Sequence, residues 1–309
     1  MKGPRLIATA ITVLGLAVCA TPGAAQTPGA AQSTTAPRCG AGVHDSQALG
    51  VVGFPDDQIF CPTIADPKEA RSFVSLLRGT FRSLDDPSGE GTTIASVGLG
   101  DSFGLVRWGG PRPNEGVQLD VVGSVFAQFD LAAPSNDLIN ADYLIGLPFT
   151  FRRRGFSTRV KLYHQSSHLG DEYLLRGEDI ERENLSFESI ELLASQEIGP
   201  VRVYGGVERL FRREPDALPS NLFHGGVELR SGRAGPLQLV GGIDLKATDL
   251  HDWSPAISGR AGIEIARRSG DHPPRLVTLM VELYEGPSPY GQFFQDDISY
   301  IGVGLHFGL

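Results

Sequence analysis

The chain has 309 residues, with 39 glycines, 3 cysteines, 41% hydrophobic and 20% charged residues, and a formal net charge of −9. Its mean hydropathy is −0.07, and its one long apolar run, Leu6 to Ala20, is shorter than the roughly 20 residues of a spanning helix, so a helical membrane protein is excluded. The apolar share excludes wholesale disorder, and the negative balance without a Lys/Arg cluster excludes nucleic acid as a partner.

In chain order, the first element is an export signal over residues 1–25. Lys2 and Arg5 precede the apolar run, and Gly23, Ala24 and Ala25 supply the small residues of a cleavage site. Its removal takes away two basic groups and no acid, so the charge of −9 becomes −11. Val18 before Cys19 does not suit a lipoprotein box. Residues 26–70 read as a periplasmic leader and a Pro-containing arm, bridged by a disulfide between Cys39 and Cys61 that is worth about 3 kcal/mol on the chain-entropy model.

From residue 71 to the C-terminus the pattern is period-two alternation with no competing helical period. The predicted strands are 71–83, 92–107, 116–130, 140–153, 156–168, 184–197, 200–212, 220–231, 236–247, 255–267, 273–286 and 298–309. Gly98, Gly100 and Gly104 mark either a bend within the second strand or a turn. One face of each strand is apolar, as in Leu237, Leu239, Ile243 and Leu245. The other carries Asp120, Asp142, Arg159, Lys161, Glu191, Arg202, Glu208, Glu228, Arg230, Arg260, Glu264 and Glu282, enough for an ion-pair network.

Alternation alone does not say which face is inside. Three features do. Short turns alternate with longer loops, the segments exceed the usual strand of about 5 or 6 residues, and the chain ends on Ile301, Val303, Leu305, Phe307 and Leu309 in strict alternation. That ending resembles the C-terminal signal read by the barrel-assembly machinery of Gram-negative bacteria. The expectation is an all-β, closed antiparallel transmembrane barrel of about twelve strands in residues 71–309, in the outer membrane with both termini in the periplasm. A soluble exported β-barrel binding protein is the alternative fold reading.

The stretches DLINADYLIGLP (137–148), LYHQSSHLGDEYLLR (162–176), ENLSFE (183–188), RREP (212–215) and SPYGQFF (288–294) resemble the bacterial family called domain of unknown function 1207, from about Phe60 to the C-terminus. The resemblance implies the barrel architecture and no particular activity.

One constellation could carry chemistry. By parity His164, Ser166 and His168 on the fifth predicted strand, and Asn184, Ser186 and Glu188 on the sixth, fall on the apolar face at one end of the wall. Polar groups facing lipid are costly and call for a reason. A serine beside a histidine base, oriented by a third group, is the logic of serine hydrolases. The roles are Ser166 nucleophile, His164 base, and Glu188 or Asn184 orienter, with the oxyanion met by amides near Ser166 or Gly170 or by a divalent ion. The pattern is similar to outer-membrane phospholipase A and lipid A deacylase, which carry a His-x-Ser pair followed by Asn; here Ser167 follows. Asp171 and Glu172 open an acidic loop, with Glu178, Asp179, Glu181 and Glu183, whose oxygens would suit Ca²⁺. His224, His251 and His272 lack ligand spacing and read as ordinary lumen or surface groups.

The first functional expectation is a non-enzymatic outer-membrane barrel with a structural, binding or small-pore role. The alternative is an outer-leaflet lipid acyl-ester hydrolase using the serine site. Outer-membrane lipids and lipopolysaccharide are the expected partners.

Overall fold

A strand that is oily on one side and charged on the other can satisfy its backbone in hydrocarbon only if the sheet closes on itself. The computed structural model describes residues 50–81, 91–110, 112, 114–176, 184–269 and 272–308. A short strand β1 (Val51–Gly53) comes first. Twelve long strands follow: β2 (Ser72–Phe81), β3 (Thr92–Gly109), β4 (Gly116–Asp130), β5 (Asp137–Arg153), β6 (Phe156–Leu169), β7 (Leu185–Ile198), β8 (Val201–Glu214), β9 (Asn221–Arg230), β10 (Leu237–Thr248), β11 (Pro255–Ser269), β12 (His272–Pro287) and β13 (Asp297–Gly308). Each pairs antiparallel with the next, and β13 pairs with β2 from Ile298↔Phe81 to Phe307↔Ser72. The ladder therefore returns to its start, as expected of a twelve-stranded barrel. Every predicted segment has become one strand, with ends moved by at most three residues. The glycines of the second segment mark an irregularity inside β3, where the register shifts between Gly104 and Val106. The export signal, the leader and Cys39 lie outside the described residues.

The oily face is outside. Leu239, Val281 and Val303 are 61%, 48% and 52% exposed, whereas Asp142, Arg159, Glu191, Arg202, Glu228, Arg260 and Glu282 are all buried. Trp108 and Phe156 mark the short-turn end of the apolar band. Phe223 and Trp253, with ring centroids 5.0 Å apart, mark its long-loop end, the arrangement of aromatic girdles. At that end Tyr173 in a helical turn, α1 (Asp171–Leu174), joins Tyr284, Tyr290 and Tyr300 in an apolar cluster under the loops.

The inside is occupied by the chain's own arm. After β1, residues 54–71 run into the lumen, where Ile59, Phe60, Thr63, Ile64, Ala65, Asp66 and Glu69 are buried. The wall holds this segment all round. Arg107 Nη2 donates to Asp57 O at 2.5 Å, Arg152 Nη1 to Ile59 O at 3.3 Å, and the Ile64 N–H to Glu228 Oε1 at 2.6 Å. Ser258 donates to Ala65 O at 2.6 Å, Lys246 meets Asp66 at 2.7 Å, Arg159 meets Glu69 at 2.7 Å, and Lys68 pairs with Asp142. The Phe60 ring lies between the guanidiniums of Arg159 and Arg202, 4.8 and 5.0 Å from its centroid. The opposed charges of the polar face therefore form a network, as the sequence implies, and the arm is part of it.

Entry of the arm leaves a seam in the wall. The β2–β3 ladder stops at Phe73↔Gly98 and the β1–β3 ladder begins at Gly53↔Val106, so between them β3 is paired with β4 on one edge and has no strand partner on the other. Other groups serve that stretch. Phe54 N–H donates to Leu105 O at 3.0 Å, Ser72 Oγ bonds both Gly100 N–H and Gly100 O at 3.4 Å, and Gln58 Nε2 donates to Ser102 O at 3.4 Å. The Ser102 N–H donates to the Asp101 carboxylate at 2.7 Å. Gly104 is required here, because a Cβ would stand 2.6 Å from Pro55 Cγ.

Candidate active site on the outer wall

β6 and β7 are in register with Leu162↔Ile190, His164↔Glu188 and Ser166↔Ser186. Side chains alternate along a strand, so these three pairs share the outer face. The first pair is apolar and belongs to the membrane band; the next two are polar. The candidate site therefore sits at the border of the band, on the side of the long loops. The structure brings His164 and Glu188 together, with Nδ1 3.4 Å from Oε1 and side chains 44% and 31% exposed. A carboxylate on Nδ1 favours the tautomer with its proton there and leaves Nε2 as the basic nitrogen.

Ser166 is the next outward residue of β6, half-buried and about 6.6 Å along the strand from His164. Among the described residues its hydroxyl has no hydrogen-bond partner. It is flanked across the ladders by Tyr143 on β5 and Ser186 on β7. Tyr143 in turn packs edge-on against His168, with ring centroids 5.8 Å apart. Asn184 is exposed just before β7, four residues from Glu188 along an extended chain, so it does not reach His164. Of the two candidate orienters only Glu188 is in place.

The amide of Gly170 donates to Ile139 O at 2.9 Å, so it is not a free oxyanion donor as expected. Asp171 and Glu172 are exposed in the first turn of α1. Glu178, Asp179, Glu181 and Glu183 lie outside the described residues, and among the described residues no three His, Cys, Asp or Glu side chains converge as a metal site. His224 is a lumen group bonded to Asp244 at 2.6 Å, and His251 meets Thr248 at 3.0 Å. Cys61 is disulfide-bonded.

Two arginines that sequence reasoning passed over border the same patch. Arg209 is exposed on β8 directly across from Ile190, and its Nη1 donates to Asn221 Oδ1 at 2.7 Å. Arg212 lies in a β-bulge. Ser186 faces Glu214 and Glu188 faces Phe211, so Arg212 and Arg213 together stand opposite Phe187, and Arg212 takes a left-handed φ of 47°. The bulge puts Phe211 and Arg212 side by side on the exposed surface. The RREP stretch hinted at the site, but simple parity could not place Arg212 across an inserted residue.

No curated protein matches the chain. Among solved structures it is similar to the Salmonella typhi outer membrane phospholipase dimer with bound calcium, at 12% identity and a TM-score of 0.52, over 80% of this chain and 94% of that one. It is likewise similar to outer membrane phospholipase A from Escherichia coli, at 13% identity and a TM-score of 0.51, with the same coverage. Identities this low establish the fold alone. The family match extends to the N-terminal side of the Phe60 limit expected from the motifs. Over residues 9–309 the chain matches, and so belongs to, the family described as protein of unknown function (DUF1207), here a closed twelve-stranded barrel of the outer-membrane kind.

Proposed function

We propose that the protein is a lipid acyl-ester hydrolase acting at the outer wall of its barrel, with the long-loop end in the outer leaflet. The observation that carries this reading is the outward pair of His164 and Glu188, 3.4 Å apart, with Ser166 next along the same strand face. A lipid ester lying against the wall would present its carbonyl carbon to Ser166 Oγ. Attack forms the Oγ–C bond as the hydroxyl proton passes to His164 Nε2. Collapse of the tetrahedral adduct expels the lyso-lipid alkoxide, which takes that proton. Water, deprotonated by the same imidazole, then releases the fatty acid and restores the serine. Glu188 holds the ring and stabilises its protonated form.

A second reading is a sealed, non-enzymatic barrel. Two observations favour it over a small pore or a catalyst: the arm from Asp57 onward occupies the lumen, and Ser166 Oγ makes no bond to His164. One experiment separates the two. Purified protein is mixed with phospholipid or lipid A in detergent micelles, and released fatty acid is measured. Hydrolysis is expected, with Ser166→Ala inactive and His164→Ala slowed about 10²- to 10⁴-fold, while heat-modifiable gel mobility shows both variants folded. Equal release by the wild type and Ser166→Ala, or none by the wild type, would overturn the hydrolase reading.

A further inference from the structure

We propose that Arg209 and Arg212 form a binding site for a lipid phosphate, which makes the substrate class of the wall site a phosphate-bearing acyl lipid. The inference rests on the hydrolase reading for its link to catalysis but on separate observations for the binding. Cations on the lipid-facing side of a barrel are costly within hydrocarbon and become tolerable near the interface. Arg209 is the first charged residue beyond the outward run Val203 and Val207 on β8, at the level where Leu162 and Ile190 end the apolar band on β6 and β7. It is therefore at headgroup height. Among the described residues its hydrogen bond is to a neutral amide, Asn221 Oδ1, and it forms no ion pair with a carboxylate.

Arg212 has no hydrogen-bond or ion-pair partner among the described residues, although it stands in a left-handed backbone conformation that disfavours a branched or long side chain. A bulge is a device for re-aiming a side chain. Here it adds a second exposed cation beside Phe211, the residue directly across from Glu188. Of the outer-face acids near Arg212 among the described residues, Glu188 is engaged by His164, and the exposed Glu214, two residues along β8, forms no ion pair with it. Two guanidiniums with spare donors, at the polar border and one strand from the His164–Glu188 pair, are complementary to a phosphate monoester or diester. A lipid held there by its phosphate would lay its ester-bearing region over β7 and β6, toward Ser166.

The test uses full-length protein in detergent micelles and measures binding of matched lipids with and without phosphate: phosphatidic acid against diacylglycerol, and bisphosphorylated lipid A against its dephosphorylated form. Wild type and Ser166→Ala should both bind the phosphorylated member about tenfold more tightly, and Arg209→Ala/Arg212→Ala should lose that preference. Arg209→Lys/Arg212→Lys, which keeps charge without the planar fork, should recover part of it. Whichever lipid pair shows the larger preference identifies the phosphate source. Equal affinity for the phosphorylated and phosphate-free lipids in wild-type protein, or a preference unchanged in the double alanine variant with heat-modifiable mobility intact, would overturn the site. Because Ser166→Ala measures binding without turnover, a failed hydrolase reading would leave this result standing.

Discussion

Asp66 Oδ1 and Lys246 Nζ, 180 residues apart in sequence, meet at 2.7 Å inside the barrel and fasten the arm to β10. Breaking such a pair leaves a charge without its partner away from bulk water, which costs more than the pair itself contributes. Lys246→Met and Asp66→Ala should each lower the free energy of unfolding by about 3 kcal/mol, read from urea titration in lipid vesicles, and the double variant should recover part of the loss. Simple additivity would show that the two side chains are not coupled.

An arm lodged in the lumen should block the passage of ions. Wild-type protein in planar bilayers should give no current steps, and deletion of residues 54–70, which removes Phe60, Ile64 and Asp66 from the lumen, should give resolved ones. Steps of equal size from both proteins would mean that the arm does not fill the lumen.

At the seam, Asp101 faces outward between Leu99 and Phe103, yet its carboxylate accepts the Ser102 N–H that has no strand to pair with. An unpaired amide in hydrocarbon costs several kcal/mol, more than an outward carboxylate near a polar seam. Asp101→Asn, which keeps an acceptor, should therefore fold with near wild-type stability, whereas Asp101→Leu should lower the urea midpoint despite its better match to lipid. The opposite order would reject this role.

The long-loop end has its own tie. Asp249 accepts the backbone N–H groups of Ser220 at 2.8 Å and Asn221 at 3.0 Å, joining the loop after β10 to the loop after β8. Burial alone would raise its pKa, but these amides and the Asn221 side chain outweigh it and hold the carboxyl below its ordinary value of 3.8. A depressed folded-state pKa stabilises the loops above pH 3.8 and is lost as pH falls through the folded value. In a Trp108→Phe background, Trp253 fluorescence should change in that acid range, and Asp249→Asn should abolish the transition. A transition unchanged in Asp249→Asn would place the titrating group elsewhere.

The wall was legible because its physics is periodic. A two-residue repeat over ten or more positions, as in β4 or β10, fixes the strand and sorts its residues into two faces, and strand length, loop alternation and the final strand then put Leu239 outside and Asp142 inside. Parity also put His164 and Glu188 on one face; the register that set them opposite each other needed the turn geometry. The arm was not legible. Ile59, Phe60, Ile64, Asp66 and Glu69 have no repeat, because between them they meet several strands of the lumen wall, among them β5, β6, β8, β9 and β10. Arg212 escaped for a related reason: one inserted residue reverses the alternation beyond it.

A barrel of this kind requires its apolar face to meet hydrocarbon. Nitroxide labels placed singly at Leu239, Val281, Val303, Lys161 and Glu264 in vesicle-embedded protein report this by collision with oxygen, which concentrates in lipid, and with a water-soluble nickel chelate. Labels at Leu239, Val281 and Val303 should collide with oxygen and not the chelate, and labels at Lys161 and Glu264 should be shielded from lipid-dissolved oxygen. Labels at the three apolar positions shielded from oxygen, with the chelate reaching Lys161 and Glu264 freely, would contradict it.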